Sequence, residues 1–158
     1  MIAKGRRSVE INIYLDTTIK NPKRGRASAM WLIECVINDR IESREGFVHL
    51  PETTEDAITI MALIKGLMEL NKACKFTIYT SDRNVFYALD TGRAQEAQKN
   101  GYVNARGLPV KNAELWEILF DLLRKHEWKI SQEDHSYKIY MESELKKAHK
   151  HSIEMAKR

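Results

Sequence analysis

Two strand ends carry the side chains best placed to do chemistry. The stretch KFTIYTSDRNVF, Lys75 to Phe86, reads as a strand to Thr80 that stops at Ser81-Asp82 and turns into a helix. In α/β proteins, the carboxyl end of a strand opening onto a helix is where ligands bind. Either Ser81 is the last strand side chain and Asp82 caps the helix, or Asp82 points into a site. Asp16 closes an earlier strand pattern, VEINIYLD. Charge is the second signal. KNPKRGR places Lys20, Lys23, Arg24 and Arg26 together without an acid, and the tail adds Lys146, Lys147, Lys150, Lys157 and Arg158. With a net charge of +4, the chain leans toward a polyanionic partner. A solvated face gives the same pattern.

The elements that must position these residues follow from period and punctuation. Val9 to Asp16 alternates apolar and polar, as a strand does. TTIKNPKRGRAS is a loop broken at Asn21-Pro22 and Gly25. AMWLIECVI and IESREGFVHL are two further strands around the turn NDR, and Pro51 ends the meander. TTEDAITIMALIKGLMEL is a helix, with Thr53 or Thr54 as N-cap and Glu55 and Asp56 where the helix dipole favours acids. Ile60, Leu63, Ile64, Leu67 and Met68 form its core stripe. One helix from about Arg83 to Lys99, a helix around LWEILFDLL, the short strand EWKIS and a weakly amphipathic last helix complete the order βββαβααβα. The fold class is α/β: a mixed five-stranded sheet flanked by helices, three meander strands plus two more, with the fourth joined by a helical crossover.

At 158 residues this is one domain, with its core at about residues 9–156. No apolar run reaches bilayer length, and the charged MIAKGRR start has no apolar stretch of a signal peptide behind it. Cys35 and Cys74 lie in apolar segments and read as buried free thiols of a cytoplasmic protein. Trp31, Trp116 and Trp128 read as core.

Three segments then resemble the ribonuclease H family: IYLDTTIKNP, CKFTIYTSDRNV and, most specifically, GLPVKNAELWEILFDLLRKH. The resemblance covers roughly Val9 to Ala156 and implies a ribonuclease H-like fold. It implies cleavage of the RNA strand of RNA–DNA hybrids with two divalent ions, Mg²⁺ or Mn²⁺. Such hard cations need several carboxylates close together. Carried over position by position, the family's carboxylates fall on Asp16, Thr59, Ser81 and Ser143, so one of the four is retained. Neutral hydroxyls are weak ligands for such ions, and a degenerate site of this kind is expected to need no cofactor.

Acids do lie beside each lost position. Glu55 precedes Thr59 by four residues, about 6 Å along the axis. Asp82 follows Ser81, but consecutive strand residues point to opposite faces. Glu142 and Glu144 flank Ser143. His135 stands where the family carries a mobile histidine that assists proton transfer. The resemblance places a nucleic-acid contact at Asn21, puts Glu55 and Asp56 where the family has asparagines, and thins the family's basic handle to EAQKNGYVNAR, with Lys99; charge adds Lys20, Lys23, Arg24, Arg26 and Lys111 as candidate contacts. The expectation is a nucleic-acid-binding protein with nuclease activity lost or strongly reduced. Alternatives are an active hybrid ribonuclease with a rearranged acidic site, in which Asp16, Glu55, Asp82 and Glu142 hold metal, and a protein–protein module on the same fold.

Overall fold

The computed structural model describes residues 9–158; the charged start of the chain lies outside the described residues. The strands are β1 (Val9–Thr17), β2 (Gly25–Ile37), β3 (Arg40–Thr53), β4 (Lys75–Tyr79) and β5 (Glu127–Ser131). The helices are α1 (Glu55–Leu67), α2 (Arg83–Asp90), α3 (Arg93–Lys99), α4 (Ala113–Leu123) and α5 (Lys138–Ala156). The five strands form one mixed sheet in the order β3-β2-β1-β4-β5. β1 pairs antiparallel with β2 and parallel with β4, and β4 pairs parallel with β5.

Alternation along the strands sorts the core into two layers. Ile13 and Leu15 of β1 face the larger layer with Ile58, Leu63 and Leu67 of α1, Val85 of α2 and Leu119 of α4. Tyr14, Met30 and Leu32 face the other way and pack under Met141 and Leu145 of α5. Among the described residues, no helix is long and apolar enough to cross a membrane.

The structure corrects several sequence expectations. The helix expected from Arg83 to Lys99 is two, because Gly92 takes a left-handed conformation, φ 83°, after Thr91 ends α2. The element order is therefore βββαβαααβα. Pro51 does not end the meander: it lies within β3, a sheet-edge strand, where a missing N–H costs no ladder bond. Met68 is 61% exposed at the C-cap of α1, outside the core stripe. The two cysteines are free but only half-buried. Trp31 is buried, whereas Trp116 and Trp128 pack on the core's margin.

Trp31 fixes how α1 approaches the sheet. Its indole lies across Gly46, its direct partner on β3, and under Gly66 of α1. A Cβ at Gly46 would come within 2.4 Å of the ring, while one at Gly66 would meet Trp31 Cβ at an ordinary 3.5 Å. Gly46→Ala is therefore expected to cost about 1–3 kcal/mol through overpacking. Gly66→Ala should be neutral or stabilise by up to about 1 kcal/mol, as alanine replaces glycine inside a helix. Urea unfolding midpoints of the two variants check the contrast; equal effects would contradict this packing.

Candidate active site

The parallel register of β1 and β4 builds the site. Tyr14 pairs with Tyr79, and their rings stack at 4.9 Å. Two residues beyond this pair come Asp16, still within β1, and Ser81, just past the end of β4. Asp16 Oδ1 accepts from the Thr17 backbone N–H at 2.9 Å and from Lys20 Nζ. The same Nζ donates to Ser81 Oγ at 3.2 Å, so one ammonium joins the two strand ends.

Asp82 has the opposite parity and turns inward. It is 3% exposed and caps α2, its Oδ1 accepting from Val85 N at 3.1 Å. Its Oδ2 is buried without a hydrogen-bond partner. Burial, then a hydrogen bond with Asp56, pushes its carboxyl up to about 7. Burial also raises Glu55, opposed by Lys20 and reinforced by Asp56.

A cavity of about 510 Å³ lies over these groups. It is lined by Asp16, Lys20, Asn21, Glu55, Asp56, Ser81, Asp82, Lys111, His135 and Glu142 among others. Thr59 is absent from its wall: it is 1% exposed, with its hydroxyl unpaired in the core. Ser143 is exposed and also lies off the cavity. His135 is half-buried, its ring 4.2 Å from that of Tyr14 and 5.8 Å from that of Tyr79. Its Nδ1 accepts from Tyr137 N at 3.2 Å, which leaves the proton of the neutral ring on Nε2. Burial lowers its pKa, against the pull of Asp16 and Asp134.

The basic residues divide. Lys20, Asn21 and Lys111 reach the cavity, while Lys23, Arg24, Arg26 and Lys99 are exposed outside it. Arg24 faces Glu52 at 3.9 Å, and the Asn21 side chain is turned to its own loop, accepting from Lys23 N at 2.9 Å.

Whether this donor set fits a pair of divalent ions can be tested on the side chains. Among the described residues, no three acids, histidines or cysteines converge as an ion would require. Asp16 is engaged by an ammonium, and Asp82 is engaged as a helix cap. The residues present do not fit the two-ion arrangement.

Two polar clusters escaped the sequence reading. Glu34 is 9% exposed and accepts from Asn12 Nδ2, Tyr14 OH and Tyr137 OH at 2.9–3.1 Å. Ser28 Oγ meets His49 Nδ1 at 2.6 Å and His149 Nδ1 at 2.7 Å. Ser28 and His49 are direct cross-strand partners, a pairing that the register of the β2–β3 hairpin implies. The arrival of His149 from α5 has no sequence signal.

Asp82 yields a prediction. Its folded pKa lies above its ordinary 3.8, so its contribution is favourable below the ordinary carboxylate range and is lost as pH rises through about 7. Asp82→Asn keeps a cap acceptor and can donate to Asp56 without titrating. It should flatten the stability profile across that window and gain roughly 1–2 kcal/mol over wild type at mildly alkaline pH. Urea midpoints against pH measure it; an unchanged slope would refute the raised Asp82 carboxyl.

The ribonuclease H family model, RNase H, matches residues 8–133. The ribonuclease H of Stutzerimonas stutzeri (strain A1501) is 31% identical over 118 residues, covering 74% of each chain. That of Caldicellulosiruptor saccharolyticus is 29% identical over 124 residues, 78% of this chain and 81% of the relative. LC9-RNase H1, described as a type 1 RNase H with the type 2 active-site motif, superposes with a TM-score of 0.70 at 16% identity, covering 87% of this chain and 71% of its own. RNase H1 of the archaeon Halobacterium salinarum NRC-1 gives 0.57 at 17%, covering 85% and 92%. The foamy viral protease-reverse transcriptase in complex with RNA/DNA hybrid gives 0.55 at 17%, covering 84% of this chain and 18% of that one. At these identities the structural likeness establishes the fold alone.

Proposed function

This chain belongs to the ribonuclease H family, and from that premise we propose that it binds nucleic acid with hydrolysis lost or strongly reduced. One observation carries the reading. Of the four positions where the family places carboxylates, only Asp16 presents one to the cavity. The others hold a core threonine, Thr59, and two serines, Ser81 and Ser143. Two closely spaced divalent ions need several carboxylates to offset their charge, and Asp16 alone does not supply them.

The partner class follows from the family and from charge. A foamy viral relative by fold was solved with an RNA/DNA hybrid, and the exposed Lys23, Arg24 and Arg26 flank the same cavity loop. The cavity wall itself carries seven carboxylates against four lysines and arginines. Phosphate attraction therefore comes mainly from the rim, which makes binding modest and steeply salt-dependent. A cytoplasmic location suits the two free thiols.

A second reading rests on the same wall. Glu55, Asp56, Asp82 and Glu142 all line the cavity with Asp16, and a rearranged acidic site would draw on them as an active Mg²⁺- or Mn²⁺-dependent hybrid ribonuclease.

Incubation of a labelled RNA–DNA hybrid with wild type and Asp16→Asn, in Mg²⁺ or Mn²⁺, separates the two readings. The expected result is no cleavage by either protein, with a gel shift that fades as salt rises and weakens about tenfold in a Lys23→Glu/Arg26→Glu variant. Cleavage by wild type that Asp16→Asn abolishes would establish the second reading and remove the first. Exchanging the two residues in Ser81→Asp/Asp82→Ser should not restore cleavage, because Thr59 and Ser143 remain without carboxylates.

A further inference from the structure

We infer that Lys20 is a resident cation, holding between Asp16 and Ser81 the place of a divalent ion and meeting a backbone phosphate of the bound nucleic acid in its stead. The inference rests on the nucleic-acid-binding reading above and goes beyond it by naming the group that replaces the metal.

Three observations support it. The first is position. Nζ bonds to both strand ends at once, and those ends are held side by side by the β1–β4 register. An ion shared by the two strands would have to occupy that point. The second is delivery. Lys20 comes from an anchored loop and not from a free tail. Thr18 N donates to Ser28 O and Ser28 N to Thr18 Oγ1, each at 2.9 Å. Thr17 Oγ1 donates to Ile19 O at 2.8 Å, and Ile19 is buried. The third is valence. One ammonium neutralises one carboxylate, and the neutral Ser81 hydroxyl suits an N–H donor where an aspartate would have suited a divalent ion. An ammonium has three donors. Asp16 and Ser81 take two, and the side chain is 49% exposed at the cavity, so the third is left for an incoming phosphate oxygen.

Lys20 thereby has two consequences: the site resists divalent ions, and nucleic-acid binding does not need them. Both are measurable without catalysis. Mn²⁺ binding is titrated by electron paramagnetic resonance, with no nucleic acid present, on wild type, Lys20→Met and Lys20→Met/Asp16→Asn. Wild type should bind weakly, Lys20→Met at least tenfold more tightly, and the double variant as weakly as wild type. Equal Mn²⁺ binding by wild type and Lys20→Met, at any affinity, overturns the inference. Lys20→Gln repeats the measurement with a polar side chain, and circular dichroism confirms that the half-exposed loop position leaves the fold intact.

Fluorescence anisotropy then measures hybrid binding in EDTA and in millimolar Mg²⁺. Wild-type affinity should match within twofold between the two buffers. Lys20→Met should weaken binding in EDTA by about fivefold and lower the salt slope by about one, as the loss of one phosphate contact does. Binding that EDTA abolishes overturns the inference. Wild-type cleavage of the hybrid would instead remove the functional reading, and the Mn²⁺ titration would still decide the place of Lys20 on its own.

Discussion

Along β1 and β4, side chains point alternately to the two faces of the sheet, and the two strands run in parallel register. That alternation governs the rest of the molecule. On one face it sets Ile13 and Ile78 into the core beneath α1; on the other it stacks Tyr14 on Tyr79 and brings Asp16 beside Ser81. Because the period is two, shifting an acid by one residue does not move it slightly: it moves it to the opposite face. Ser81 and Asp82 are neighbours that face apart in this way. The hydroxyl stays on the site face and accepts from Lys20, and the carboxylate goes inward to cap α2.

Each displaced group is then absorbed by local bonding. Asp82 takes up the Val85 N–H and meets Asp56 at the start of α1, where burial raises its hold on a proton. Asp16 is matched by Lys20. On the same face, Glu34 is held by Asn12, Tyr14 and Tyr137, which ties the start of α5 to the middle of the sheet. A buried carboxylate is tolerated when its oxygens are satisfied, as those of Glu34 are by Asn12, Tyr14 and Tyr137.

Much of this was legible in the sequence, for physical reasons. Strand alternation, a threonine cap at one of two candidate positions and the α1 stripe from Ile60 to Leu67 are local signals, and each appears where period and capping chemistry place it. β5 matches the EWKIS segment residue for residue. The break at Gly92 was not legible because RAQEAQK on its far side is strongly helix-forming, and only the left-handed turn separates α2 from α3. Pro51 misled because its tolerance depends on β3 being an edge strand, a property of the whole sheet. The site divided in the same way. Parity could foretell that Ser81 and Asp82 face apart. It could not foretell that Lys20 would cross the loop to both strand ends, or that Thr59 would turn its hydroxyl into the core, because both depend on how segments far apart in sequence close on one another.

The retained fold and the altered site follow from one electrostatic argument. Four carboxylates gathered at two strand ends and two helices repel one another unless cations hold them. Thr59, Ser81 and Ser143 carry no charge, and the ammonium of Lys20 meets Asp16, while Glu55, Asp56, Asp82 and Glu142 still line the cavity. Ser81 and Ser143 are exposed and lie apart from the apolar contacts of Ile13, Ile58, Leu63 and Leu119 that hold the layers together. Thr59 makes the same point from inside the core. Its unpaired buried hydroxyl is a local cost on a helix whose remaining buried side chains are nearly all apolar. That cost is small beside the burial of Ile58, Ile60 and Leu63 around it.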